Sequence, residues 1–331
     1  MWKSFKRLVL LLLLLVGMSF AWTAWFAFSP ARLAASPQAF SISQGSSLRA
    51  ATRQIVSAGV DMSAWQFNLL ARMTAHVADI KAGSYEVLEG ATPWDILTKI
   101  TSGDFSRSDI VFIEGWTFRQ IRAALRAHPD LRHESDALSD AELMVRLGSP
   151  GAKPEGWFFP DTYLFAKGES DLSVLAQAHQ AMRKQLQSAW AKRSPNLPIN
   201  SPYEALILAS IVEKETGRSE DRTMIAGVFV NRLRAGMRLQ TDPTVIYALG
   251  ERFDGNLRKR DLLASHPFNT YTRDGLPPGP IAMPGLASLK AALSPADTDA
   301  LYFVARGDGS SAFSRTLQEH NRAVAKFQLK R

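Results

Sequence analysis

The sequence predicts an α+β protein in three parts: an apolar N-terminal helix, a small strand–helix region and a larger α+β domain that carries a glutamate on a helix. Three observations lead to this prediction. The chain opens with a long uncharged run, three segments then repeat one strand–turn–helix pattern, and a well-signalled helix begins near residue 201. We expect the three parts to cover residues 1–29, 30–150 and 151–331.

Composition narrows the class of protein. The 331 residues are 46% hydrophobic and 21% charged, as in a globular protein. The net charge of +8 suits an anionic surface or polymer without requiring a nucleic acid. The sequence has no cysteine, which excludes disulfide scaffolds, thiol catalysis and zinc–thiolate sites. It also lacks the GxxxxGK, GxSxG and HExxH motifs, and His128 and His133, the nearest histidine pair, lie in a charged loop. We therefore predict no metal and no cofactor.

The N-terminus has the pattern of a membrane anchor. Residues Leu8 to Phe28 contain no charge, and as a helix they would span about 31 Å, close to the thickness of a hydrocarbon core. Basic residues precede this run, and tryptophans lie near its far end, so we expect a single-pass helix in the cytoplasmic (inner) membrane with the N-terminus inside and the body outside the cytoplasm. The alternative is a signal peptide cleaved after a small-x-small site at residues 19–21.

Three segments repeat one plan of a strand, a glycine turn and a capped helix. In each, a hydroxyl residue stands two places after the glycine, where it can cap the next helix. Thr92 is followed by proline at the favoured first helical position, and Thr117 has Gln120 three residues on, as in a capping box. The segments are Phe40–Gly45 into Ser47, Tyr85–Gly90 into Thr92 and Ile110–Gly115 into Thr117.

The second segment, YEVLEGATPWDIL, resembles the opening of a LysM module, a small fold that binds N-acetylglucosamine polymers. The resemblance implies a glycan-binding module over about residues 36–105. A structural strand–turn–helix unit that binds no sugar is the alternative.

A second domain is predicted to begin near Gly151, after a stretch rich in turn-forming residues. The aromatic cluster EGWFFPDTY, residues 155–163, follows it directly. Such rings either line a sugar cleft or, more often, belong to a core. Residues 170–193 are predicted to form a helix.

We predict that the helix from Ser201 to Thr216 carries the reactive side chain. Ser201 has the position of its N-cap, Pro202 that of its first residue and Gly217 that of its terminator. Helical spacing places Glu215 on an apolar stripe and turns Glu213 about 160° away.

A carboxyl group on that stripe would have a raised pKa, because desolvation disfavours its charged form. Such a group can act as a general acid near neutral pH. The alternative for Glu215 is a structural carboxylate paired with Arg218 or Arg222.

Two later loops are dense in amide and hydroxyl groups, as in sites that hold a polar ligand. Together with IVEKET, residues 211–216, they carry a close resemblance to the YceG-like family of endolytic murein transglycosylases. EGWFFPDTY and the closing LYFVA, residues 301–305, belong to the same resemblance. The loops are LQTDPTVIYALG, residues 239–250, and NTYTRDGLPPGPIAMPG, residues 269–285.

The resemblance implies a membrane-bound lyase that cleaves the MurNAc–GlcNAc bond within nascent peptidoglycan strands, forms a 1,6-anhydro product and so terminates strand elongation. It assigns Glu215 as the catalytic residue. It implies as partners the peptidoglycan strands, the membrane and the cell-wall synthesis machinery, with no nucleic acid. Weaker candidates for glycan contacts are Gln240, Thr241, Asp242, Asn269, Thr270 and Tyr271.

Three points stay open in the sequence. Asp242 has the pattern of a helix cap as much as that of a ligand. A hydrolytic muramidase would need a second acid near Glu215, such as Asp242 or Glu220. A protein of another class, a non-catalytic glycan-binding protein that organises wall synthesis, is the remaining alternative.

Overall fold

The computed structural model describes residues 2–74, 79–215 and 218–328, and its contacts divide the chain into two compact units. Unit 1 contains the chain up to Ser108, with Asp130–Arg132 and Leu164–Glu169. Unit 2 contains Asp109–Pro129, His133–Tyr163 and the chain from Ser170 onwards. The mixture of helices and short strands confirms the predicted α+β class. The predicted domain boundary at residue 150 stays a prediction.

Unit 1 is built from short helices and strands that follow one long helix. Among the described residues, no helix combines the length and the hydropathy that crossing a bilayer requires. The elements up to residue 111 are α1 Trp2–Phe28, β1 Arg32–Leu33, β2 Gln38–Ile42, α2 Leu48–Ser57, β3 Val60–Asp61, α3 Ala64–Met73, β4 Gly83–Val87, α4 Pro93–Ser102 and β5 Arg107–Val111.

Unit 2 is mainly helical. After β5 the elements are α5 Phe118–Ala127, β6 Leu131–Arg132, a 3₁₀ turn Glu134–Ala137, α6 Asp140–Arg146, β7 Thr162–Ala166, β8 Glu169–Ser170, α7 Asp171–Ala191, α8 Pro202–Glu215, α9 Ser219–Arg234, α10 Asp242–Leu249, a 3₁₀ turn Gly250–Arg252, α11 Lys259–Leu263, α12 Leu286–Leu293, β9 Tyr302–Ala305, β10 Ser311–Ser314 and α13 Leu317–Phe327. Of these, β6, the second part of β7 and the first residue of β8 belong to unit 1. Strands pair two by two, as β1–β3, β2–β4, β5–β7, β6–β8 and β9–β10.

The core of unit 1 lies between β2, β4 and the short helices. β2 pairs with β4 in antiparallel register, which places Phe40 opposite Tyr85, and their rings stack at 5.5 Å. Ile55, Phe67 and Ile96 fill the space behind them and are fully buried. The C-terminal end of α1 belongs to the same core.

The repeated strand–turn–helix plan is confirmed. Ser47, Thr92 and Thr117 each cap the following helix by accepting a hydrogen bond from a backbone N–H, and the last two complete capping boxes. Gly90 and Gly115 have φ of 91° and 78°, a left-handed conformation that favours glycine and turns the chain from strand to helix.

Candidate active site

α8 is the central helix of unit 2. Ser201 caps it as predicted, since its Oγ accepts from the Glu204 N–H at 3.2 Å. The Glu204 carboxylate reaches one residue further back than a capping box requires, to the Asn200 N–H at 2.6 Å. Thr216 and Gly217, the predicted end and terminator of the helix, lie outside the described residues.

The apolar stripe predicted for α8 is wrong in one respect, because the helix is buried on every side. All eight residues from Ala205 to Val212 are buried, so no single face is distinguished. The reason is that α7, α9, α10 and α12 all contact α8. Glu215 therefore lies at the end of an enclosed helix.

Burial favours the protonated form of the Glu215 carboxyl. Its pKa is raised from the ordinary 4.5 to about 7, first because it is desolvated and further because the Asp242 charge disfavours ionisation. The Thr241 hydroxyl donates to Glu215 Oε1 and acts in the opposite direction, as does the charge of Arg232. The sequence-based prediction that burial raises the pKa of this carboxyl is confirmed.

Glu213 has a different environment. Its Oε2 accepts from the Gly285 N–H at 2.9 Å, at the start of α12. Beside it, burial and the Glu213 charge raise the pKa of Glu114, while Arg222 lowers it. The geometry gives Glu213 a structural role in holding the N-terminus of α12.

Side chains from the two predicted loops meet Glu215 in one cavity of about 540 Å³. Gln240, Asp242 and Tyr271 line it, and the Tyr271 hydroxyl donates to Asp242 Oδ1 at 2.5 Å. Asp242 is the first residue of α10, and Thr241 is the N-cap residue of that helix. A polar cavity of this size has the volume expected of a site for a small ligand or a few sugar units.

Asn269 and Thr270 support this cavity from behind. Both side chains are only 1% exposed. The Asn269 amide donates to the carbonyls of Asp261, Leu262 and Ala264, and the Thr270 hydroxyl bonds to the Thr241 N–H and the Thr244 hydroxyl. Their polar atoms therefore fix the loops that present Gln240, Thr241 and Tyr271.

Two residues near Glu215 were missed by the sequence analysis. Arg232 on α9 is 8% exposed and lines the cavity, and its guanidinium donates to the carbonyls of Leu301, Arg238 and Leu239. Tyr302 on β9 lies against that guanidinium at 5.2 Å. Arg232 stands in none of the motifs quoted above, and Tyr302 lies in the LYFVA segment, which the sequence analysis did not connect with the site. The fold brings both side chains to the cavity of Glu215.

The aromatic cluster at residues 155–163 belongs to the core. Phe158 is fully buried and stacks on Phe118 at 5.0 Å, and Trp157 stacks on Tyr203 at 6.0 Å. Glu155, at the start of the cluster, accepts from the Phe118 N–H, and burial raises its pKa to about 7. The sequence did not indicate this second buried carboxyl.

Comparison with known proteins identifies the family of this chain. The model of the YceG-like family matches residues 40–326. An endolytic murein transglycosylase of Bacillus subtilis is 36% identical over 266 residues, which cover 75% of this chain and 73% of the relative. One of Streptococcus pneumoniae is 28% identical over 318 residues, and the match spans 86% of this chain but only 57% of that relative.

A solved structure is similar as well. The 2.6 Å crystal structure of a YceG-like protein from Listeria monocytogenes is 32% identical, with a TM-score of 0.55. The match covers 86% of this chain and 98% of that one. The family predicted from the sequence motifs is confirmed: this chain belongs to the YceG-like family.

Proposed function

We propose that this protein is a membrane-anchored endolytic murein transglycosylase. It cleaves the MurNAc–GlcNAc bond within nascent peptidoglycan strands and leaves a 1,6-anhydro end, which terminates the strand. Its family and the activity named for its relatives support the enzyme class. The observation that carries the proposal is a glutamate with a pKa of about 7, at the end of a buried helix and in a polar cavity.

In this mechanism one carboxyl group serves twice. Protonated Glu215 gives its proton to the oxygen between the two sugars, and the glycosidic bond breaks. The carboxylate then takes the proton of the muramic acid 6-hydroxyl, whose oxygen bonds to the anomeric carbon and closes the anhydro ring. No water is consumed, so a second carboxylate that activates water is not needed.

The neighbours of Glu215 support both steps. Burial and Asp242 favour the protonated form that the first step needs, while Thr241 and Arg232 stabilise the carboxylate that the second step needs. Gln240 lines the same cavity and has φ of 49°, a left-handed conformation that is uncommon for residues other than glycine. Its exposed amide is placed to hydrogen-bond an acetamido group or a hydroxyl of the glycan.

The test compares two glutamates of the same helix. Glu215→Gln keeps the shape of the side chain but removes the transferable proton, so it should lower the rate of cleavage of isolated sacculi by roughly 10²–10⁴-fold. Glu213→Gln is the matched control and should be much milder. Mass spectrometry should find product ends lighter by one water than reducing ends. An active Glu215→Gln enzyme would remove the proposed acid.

One observation favours a second candidate, a hydrolytic muramidase. Asp242 lines the cavity with Glu215 and is placed to activate a water there. Glu220, the other acid considered, is paired with Arg218 at 3.6 Å, and its pKa is lowered. Reducing-end products that disappear in Asp242→Asn would establish the hydrolase. Sacculus binding with no cleavage under any condition would instead establish a non-catalytic glycan-binding protein.

We also propose that residues 8–28 stay attached as a single-pass anchor of the cytoplasmic membrane, with the N-terminus inside and the body outside. The uncharged run with its preceding lysines and arginine supports this topology. N-terminal sequencing of the membrane-extracted protein tests it. A mature chain that begins near Trp22 would establish a cleaved signal peptide.

Within unit 1, we propose that residues 36–105 form a LysM-like module that contacts glycan and raises affinity without performing chemistry. The YEVLEGATPWDIL motif supports this role, and its capped helix is formed. Deleting the region should weaken binding to sacculi and leave some cleavage of soluble fragments. Unchanged sacculus binding by a stably folded deletion variant would assign the region a purely structural role.

A further inference from the structure

The last two turns of α1 are part of the folded core of unit 1. Thr23, Phe26 and Ala27 are 5%, 9% and 3% exposed, and Phe26 and Ala27 pack into the cluster that contains Phe67 and Tyr85. By contrast, every described side chain from Leu10 to Trp22 is exposed. The part of the helix that is free to enter a membrane therefore ends near Trp22.

This division sets a length. The uncharged run begins at Leu8, so the free segment from Leu8 to Trp22 has fifteen residues and reaches about 22 Å. The hydrocarbon core of a bilayer is about 30 Å thick. The free segment is thus about 8 Å too short to cross the hydrocarbon core, and tilting the helix would shorten its reach along the membrane normal further.

The surface of unit 1 beside this point has the composition of an interfacial surface. Trp65 on α3 is 57% exposed and its ring lies 5.2 Å from that of Trp22. Leu69, Arg72 and Met73 follow Trp65 at spacings of four, seven and eight residues, which places all four on one face of α3. Arg72 and Met73 are exposed, the latter by 52%.

The end of α1 continues this surface. Trp25 and Phe28 are 69% and 65% exposed, and the Phe28 ring lies 6.1 Å from that of Trp94. Tryptophans with a nearby arginine are typical of segments that lie at the boundary between acyl chains and headgroups, to a depth of about 5–10 Å. This depth matches the missing length of α1.

We propose that unit 1 sits in the outer interface of the membrane, with the Trp65–Leu69–Arg72–Met73 face of α3 in contact with lipid. The occupant of this face is the bilayer itself, because the same compact unit holds the end of the proposed membrane helix in its core. Arg72 would meet lipid phosphates while Trp65 and Met73 meet the upper acyl chains. The inference rests on the anchor proposed above.

The absence of native cysteine makes a direct test available. Full-length Trp65→Cys protein is labelled with an environment-sensitive nitrobenzoxadiazole probe and reconstituted into phosphatidylcholine–phosphatidylglycerol vesicles. We expect a blue-shifted emission that brominated lipids quench. Met73→Cys, on the same face, should behave alike and serves if the first variant folds poorly.

The matched control lengthens the anchor. Seven apolar helix-forming residues inserted after Leu15 add about 10 Å, which brings the free segment past 30 Å and keeps the helical phase within about 20°. The probe at residue 65 should then move into water and lose its quenching.

Vesicle flotation separates this inference from the anchor. A chain that floats with the vesicles but carries a water-exposed probe at both positions overturns the interfacial contact and leaves the anchor intact. A chain that does not float overturns both. Quenching that survives the insertion also refutes the length argument.

Discussion

The hydrogen bond from Thr241 to Glu215 offers a quantitative test of how the site tunes its acid. Thr241 is 2% exposed, and its hydroxyl donates to the glutamate whose protonated form begins the proposed reaction. Thr241→Val is nearly isosteric and removes only that donor. Because the bond stabilises the carboxylate, its loss should raise the pKa of Glu215 above about 7.

The size of the shift follows from the strength of the bond. A hydrogen bond to a charged group contributes about 1.5–3 kcal/mol, and one pKa unit corresponds to about 1.4 kcal/mol. The hydroxyl also bonds to the protonated carboxyl, so the difference between the two states lies at the lower end, near one unit. The alkaline limb of kcat/KM, where Glu215 loses its proton, should therefore move from about pH 7 to about pH 8.

The assay is the pH profile of sacculus cleavage by the wild type and the variant. Thr244→Val is the matched control, because the Thr244 hydroxyl is fully buried and donates to the Thr241 carbonyl at 2.7 Å. This control disturbs the same loop without removing the donor to Glu215. An alkaline limb that stays in place or moves to lower pH in Thr241→Val would refute the reasoning.

Three further predictions concern stability and the cavity rim. The pKa of Glu155 is raised to about 7, so the folded state holds this proton to higher pH than the unfolded state and the free energy of unfolding falls between about pH 4.5 and 7. In Glu155→Gln this decrease should be smaller by up to about 3 kcal/mol. Denaturant titrations of both proteins at pH 5 and pH 8 measure the difference. A Cβ at Gly285 would overlap the Glu114 carboxylate, which is the end of an exposed, flexible side chain and can turn away, so Gly285→Ala should change the free energy of unfolding by no more than about 0.5 kcal/mol, and a loss above about 2 kcal/mol would show that Glu114 is held in place. Gln240→Gly should keep the left-handed backbone and raise KM for glycan, whereas an unchanged KM would show that the amide makes no contact.

Local rules predicted much of the fold. The caps at Ser47, Thr92, Thr117 and Ser201 are read from a hydroxyl before an apolar run, because each satisfies backbone groups within one turn of itself. The helix predicted over residues 170–193 is formed as α7, over Asp171–Ala191. Such features depend on neighbours in sequence, so the sequence alone is sufficient.

Tertiary placement was harder to predict. The enclosure of α8 depends on four helices distant in sequence, and a continuous apolar run does not distinguish a one-sided face from full burial. Asn269 and Thr270 have the composition of ligand contacts, yet the Asn269 amide donates to the Ala264 carbonyl and the Thr270 hydroxyl bonds to the Thr244 hydroxyl. Arg232 belongs to no recognisable motif. Its position in the site depends on hydrogen bonds to the carbonyls of Leu301 and Leu239, which lie in two other segments, so the local sequence does not predict it.

In the proposed mechanism one carboxyl serves in two steps, and the opposing influences on Glu215 suit it to both. A group with a pKa far above the working pH would hold its proton but would be a weak donor to the glycosidic oxygen. A group with a pKa far below it would rarely hold the first proton, and its carboxylate would be a weak base toward the 6-hydroxyl. Burial and Asp242 raise the pKa, while Thr241 and Arg232 lower it, and the balance lies near 7. Because Thr241 and Arg232 are held by buried hydrogen bonds of their own, this balance is part of the folded structure and is in place before substrate binds.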